Sequence, residues 1–227
     1  MVGVKNQEQT AVAQDVPRGL SLHLLSSIDS VSNSVGRLCQ GMEGARALVI
    51  DTAVRGMGRT VPPDKPLPMS RFDLNVDLCD IRACARQELS DRLAAADVCA
   101  ILGGNTYVLN HAAAQVDFGD LLAQRAEQGP EPFHVFGSSA GALIFGRDIS
   151  HAGTLDNPSA APDIVETGVG WIDARILPHR RCPYFGIGPR IEKLIRTDPD
   201  LGSFLVIDEW ELMTFDGPEL VPSNVPR

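Results

Sequence analysis

The stretch FHVFGSSAGALIFG, residues 133–146, runs from apolar residues into a cluster of Gly, Ser and Ala and then turns apolar again. Within it Gly137, Ser139 and Gly141 form a G-x-S-x-G pattern, directly after a strand-like segment and ahead of the helix-like ALIFGRDI. A strand-to-helix turn this sharp strains the backbone of its central residue and exposes the side chain, while small neighbours keep the flanking backbone from colliding. The helix N-terminus behind it supplies a dipole and free N–H donors where an oxyanion would develop. Ser139 is thereby placed as a nucleophile, and Ser138 fills the variable position.

A serine hydroxyl is a poor nucleophile until a base takes its proton, and a carboxylate usually orients that base. Of the five histidines, His23, His111 and His134 fall inside strand or helix patterns, where packing or solvation is their ordinary role, and His151 follows the elbow in a loop. His179 closes WIDARILPHR, an apolar run stopped by Pro178, which puts it on a loop at a strand end. Asp156, Asp163, Glu166 and Asp173 all lie between Ser139 and His179, and spacing alone does not choose the orienting acid among them. The turn signal LDNP, 155–158, keeps Asp156 near the surface of a cleft. Two amides suit an oxyanion: that of Ala140, which follows the nucleophile, and that of Gly104 in the GGN turn after the preceding strand, where a missing Cβ lets backbone approach a substrate.

Positioning these groups is the task of alternating strands and helices. Strand-like runs recur at 20–25, 45–51, 72–78, 97–104 and 133–137, with helix-period segments at 80–96 and 108–129. That alternation predicts a mostly parallel sheet covered by helices on both faces, with ligands at the carboxyl ends of the strands. FLVIDEWELMTFDG, 204–217, reads as strand, turn and strand, a late hairpin or edge pair, and the Pro- and Gly-rich 56–71 reads as a surface loop. Residues 1–18 are expected to be a flexible leader, 19–217 one α/β domain and 218–227 a tail.

Composition narrows the class further. A chain of 227 residues with 44% hydrophobic and 22% charged residues suits one globular core. Its net charge of -9 and pI near 5.0 leave no basic cluster to track a nucleic-acid backbone. GGNTYVL also lacks the lysine of a phosphate-binding loop. Five scattered cysteines, without zinc spacing, read as reduced thiols, and no segment has the length and apolarity of a signal peptide or membrane span. The expectation is a cytoplasmic protein, monomer or homodimer, acting without nucleic acid, membrane, metal or organic cofactor.

The motifs AILGGNTYVLN (100–110), FGSSAGALI (136–144), LDNP, GVGWIDARILPH (168–179), PRIEKLI (189–195) and FLVIDE (204–209) together resemble the peptidase E group of serine peptidases, with cyanophycinase as a larger relative. The resemblance implies a class I glutamine-amidotransferase-like, flavodoxin-like fold: an α/β three-layer sandwich with a mostly parallel central sheet and a nucleophile elbow. It implies a small peptide or peptide-like substrate, with Ser139 as nucleophile, His179 as base and Asp156 as third triad member, Gly104 and Ala140 at the oxyanion and Asn105 near the substrate. Peptidase E proper is similar to a site in which a T-R-x-x-R-I-like segment holds a substrate aspartate. Here Arg190 matches the second arginine, Ile187 stands in place of the first, and the segment is shortened, so Arg180 or Arg181 would have to substitute.

Overall fold

Five apolar runs become the parallel strands β1 (Leu20–Leu25), β2 (Arg46–Ile50), β3 (Asn75–Cys79), β4 (Val98–Ile101) and β5 (Phe133–Ser138), arranged in the order β3-β2-β4-β5-β1. The computed structural model describes residues 15–61, 67–130, 132–184, 186–198 and 204–221. The apolar runs of β2 and β4 reflect burial on both faces, whereas the edge strand β3 alternates exposed and half-buried residues. Leu22, Leu24, Leu48, Ile50, Cys99, Ile101 and Val135 enter one core cluster, whereas their neighbours Leu25, Ala47, Val49, Val98, Ala100 and Phe136 enter a second. Val35 of α1 (Ser32–Leu38) covers the second face. After α2 (Thr52–Gly56), the first face is covered by α3 (Arg86–Ala94), α4 (Thr106–Gln115) and α5 (Phe118–Gln128), which bury Leu89, Leu93, Leu109, Phe118 and Leu121. The result is the expected three-layer α/β sandwich.

Several elements differ from the sequence reading. The helical period at 108–129 is carried by two helices, because Asp117 adopts a left-handed backbone (φ 47°) and pairs with Arg86 at 2.8 Å. Behind the elbow, α6 (Ala140–Leu143) is one short turn. Beyond it, β6 (Arg175–Arg180), α7 (Ile187–Thr197) and β7 (Phe204–Asp208) form a separate unit in which β6 and β7 pair in parallel. Consequently 204–217 is not a hairpin: β8 (Leu212–Asp216) leaves β7 to pair antiparallel with β1. The hairpin is instead formed by β8 with β9 (Glu219–Val221), turning at Gly217. Residues 219–221 of the expected tail are therefore a strand. Of the expected leader, residues 1–14 lie outside the described residues, while Val16 is buried and the Asp15 N–H donates to the Trp171 carbonyl at 2.8 Å. Residues 62–66 of the Pro-rich loop and 222–227 of the tail also lie outside. Among the described residues no helix is long and apolar enough to cross a membrane.

Candidate active site

At the end of β5 the chain turns at Ser139 with φ 53° and ψ −112°, a conformation a non-glycine residue holds only when its surroundings impose it. The Ser139 N–H donates to the Leu25 carbonyl of β1 at 3.0 Å, and Ser138 Oγ donates to the Ser26 carbonyl at 3.3 Å. Both serines thus anchor the elbow to the carboxyl end of β1. A Cβ at Gly141 would lie 2.3 Å from the Ile101 carbonyl oxygen, so the elbow meets β4 only through a residue without a side chain.

His179 reaches this point from β6, where the pairing register shifts between Leu177 and Arg180 and His179 itself has φ 68°. Its N–H donates to Ser26 Oγ at 2.8 Å. The ring's Nε2 lies 2.8 Å from Ser139 Oγ, and its Nδ1 lies 2.8 Å from Glu209 Oε2. Glu209 directly follows β7. It is 2% exposed, and its other oxygen accepts the Ser30 hydroxyl at 2.7 Å. An ionised carboxylate only accepts, so Nδ1 carries the proton and Nε2 presents a lone pair to the serine hydroxyl.

The carboxylate on the histidine is therefore Glu209, not Asp156. Asp156 Oδ2 accepts two bonds from Thr106, from its N–H at 3.0 Å and its hydroxyl at 2.5 Å. Burial raises the Asp156 carboxyl above the ordinary range, and the Thr106 bonds oppose that. Asn105, expected near substrate, uses both ends of its amide in the fold: Oδ1 accepts from the Val108 N–H at 3.1 Å and Nδ2 donates to the Asn157 carbonyl at 2.9 Å. Asn105 and Asp156 together clasp the GGN turn to the 155–158 loop. Asp163 and Glu166 are exposed, and Asp173 pairs with Arg147 at 3.3 Å. Sequence reasoning missed Glu209 by looking for the acid between Ser139 and His179. The usable signal was the acidic pair closing FLVIDE at a strand's carboxyl end.

The oxyanion candidates sit on either side of the serine. Ala140 opens α6, and a Cβ built at Gly103 would lie 2.9 Å from the Ser139 Cβ, so the GGN turn faces the nucleophile. Gly104 has φ 142° and packs against the Ala53 backbone. Among the described residues, the amides of Gly104 and Ala140 donate to no backbone carbonyl outside regular elements.

The remaining candidates lie elsewhere. Arg180 places its guanidinium 3.2 Å from Glu192 and 3.7 Å from Asp208, and Arg181 lies 3.0 Å from Asp208, so each arginine has a carboxylate partner within the protein. Arg190 is exposed on α7. His151 is buried with Nε2 against the Ile176 carbonyl at 2.7 Å, and His23 and His134 bond to each other at 2.9 Å. Among the described residues, His179, Cys182 and Glu209 form a cluster of metal-ligating side chains.

Residues 34–221 match the sequence model of peptidase family S51. The chain belongs to that family. Consistent with S51 membership, 105 residues are 27% identical to the uncharacterized peptidase PM1590 of Pasteurella multocida (strain Pm70), a match covering 46% of this chain and 49% of that protein. The chain thus spans about half the length of the curated relative it matches. Among solved structures, a protein assigned to peptidase E from Listeria monocytogenes EGD-e superposes with a TM-score of 0.69 at 21% identity, covering 88% of this chain and 96% of that one. A peptidase from an acI-B1 Actinobacterium gives 0.56 at 15% identity, covering 89% and 85%. Both share the α/β fold of this S51 chain.

Proposed function

We propose that this S51 peptidase is a serine peptidase that hydrolyses small peptides, releasing an N-terminal residue or splitting dipeptides. One observation carries the reading: Ser139 Oγ, the His179 ring and the Glu209 carboxylate form a continuous path with both links at 2.8 Å. As Ser139 Oγ bonds the scissile carbonyl carbon, its proton passes to His179 Nε2. The imidazolium so formed is stabilised by buried Glu209. The carbonyl oxygen becomes an oxyanion facing the amides of Gly104 and Ala140, each worth on the order of 10²–10³ in rate. Collapse breaks the C–N bond, and His179 gives its proton to the departing amine. Water, deprotonated by the same nitrogen, then releases the acyl group and restores Ser139.

Aspartyl specificity is not part of this reading, because the charges of Arg180 and Arg181 are answered by Asp208 and Glu192. The test is turnover of a panel of dipeptides, aminoacyl arylamides and matched esters, with Asp-X included, by the wild type and Ser139→Ala in parallel. Amide hydrolysis that disappears in the variant supports the proposal. Turnover confined to esters would reassign the same machinery to ester substrates, and turnover equal in both proteins would remove Ser139 from the mechanism.

A further inference from the structure

Cys182 is the chemically capable residue beside the site that the proposed hydrolysis does not use. Its N–H donates to the His179 carbonyl at 3.1 Å, closing a tight turn in which His179 and Arg181 both have positive φ (68° and 59°). That turn folds the thiol back toward Glu209, which the adjacent strand delivers and which is held by its own N–H on the Arg180 carbonyl at 2.9 Å. His179 Nδ1, Cys182 Sγ and a Glu209 carboxylate oxygen consequently lie within 4.8 Å of one another. The thiol is 6% exposed, and its contact to the Tyr184 carbonyl is 3.9 Å, the long end of a sulfur hydrogen bond.

We propose that His179, Cys182 and Glu209 bind a divalent cation of the zinc class and that its binding switches the active site off; the second half of this rests on the catalytic reading of Ser139 and His179. One imidazole nitrogen, one thiolate and one carboxylate are a donor set suited to tetrahedral Zn²⁺, with the fourth position left to water. With tetrahedral metal–ligand bonds of about 2.0–2.3 Å, donor atoms lie about 3.3–3.7 Å apart, so the thiolate moves inward while the Nδ1 and Oε2 atoms, now 2.8 Å apart, separate to admit the cation. The Ser30 hydroxyl on the second Glu209 oxygen supplies the outer support that orients a ligating carboxylate. Charges balance: the thiolate and carboxylate neutralise the dication, and the thiol proton is released to solvent.

The switch follows from the ring. A cation on Nδ1 displaces the proton there, and the neutral imidazole carries it on Nε2 instead. Nε2 then donates to Ser139 Oγ where it must accept, so the serine cannot be deprotonated. Glu209 is withdrawn from the ring in the same event.

The probe is Cd²⁺, whose thiolate complexes give an ultraviolet charge-transfer band, with Zn²⁺ used for inhibition. A Cys84→Ser background removes the other close thiol pair, Cys79 and Cys84, whose sulfurs are 3.5 Å apart. The expected result is a band saturating at one cation per chain, retained in Ser139→Ala. Affinity should fall by about tenfold or more in both Cys182→Ala and Cys182→Ser, with circular dichroism showing that each variant folds. Zn²⁺ should inhibit turnover reversibly by chelator, with a midpoint displaced by a similar factor in Cys182→Ala. No band, or a band and midpoint unchanged in both Cys182 variants, would overturn the site. A Cys182-dependent band in a protein that hydrolyses nothing would leave the cation site standing and remove the switch together with the catalytic reading.

Discussion

Two carboxylates near Ser139 and His179 have different physical roles, and substitution separates them. Glu209→Gln keeps the size of the side chain but gives His179 Nδ1 an amide in place of an anion, so the tautomer is no longer fixed and the imidazolium loses its counter-charge. The fold should survive while kcat falls by about 10³–10⁴. Asp156→Ala instead strands the Thr106 N–H and hydroxyl, and its cost should appear as about 1–3 kcal/mol of stability in a denaturant titration. Ser139 and His179 were legible in the sequence because each announces itself locally, one by small residues around a turn and the other by a proline-stopped strand end. Glu209 was not, because its partnership is created by β6 and β7 lying side by side, 30 residues apart in the chain. Asp156, matched by resemblance to a triad position, faces Thr106, so motif position did not supply contact.

Elements deliver these residues through close backbone approach. Gly103→Ala would bring a methyl to 2.9 Å from the Ser139 Cβ and should lower kcat by about tenfold or more with the fold retained, since a small misplacement of a reacting group is costly. Gly104→Ala should instead impair folding itself: its φ of 142° suits glycine, and the new atom would lie 2.3 Å from the Ala53 backbone. In β1, His23 is 1% exposed between Thr214 and His134, stacked on Phe136, with Asp216 acting on His134. Burial first, and the facing His134 second, push His23 from 6.5 down to about 3. The folded state therefore resists a proton that the unfolded chain accepts. Stability should be fully present above about pH 6.5 and fall by up to about 1.4 kcal/mol per pH unit below it, and His23→Gln should flatten that slope in urea melts. Strands β2 and β4 were readable because burial on both faces makes their sequences nearly continuously apolar. The split of 204–217 between two sheets was not, because residues 209–211 turn the chain in a direction no local pattern encodes.

Across the whole molecule, the β6–α7–β7 unit that carries His179 and Glu209 shares one core with the main sheet through Ile176, Leu205 and Ile207. Its docking, not only its internal pairing, sets the 2.8 Å link from His179 to Ser139, so activity and global structure should be lost together. Trp171 is buried and stacked on Phe145 at 5.2 Å, and its fluorescence in a urea titration should report one transition coincident with circular dichroism and turnover. Composition pointed to a globular chain, and its apolar residues fill a core cluster on each face of the main sheet. What composition could not show is that a second, two-stranded sheet supplies two of the three catalytic candidates. The proposed hydrolysis requires His179 to activate Ser139, and reaction with a fluorophosphonate reads that without knowledge of the substrate. Mass spectrometry should find one phosphonyl group per chain, on Ser139, formed at a rate that collapses in His179→Ala. Absence of labelling in the folded wild type, or labelling on another residue, would contradict it.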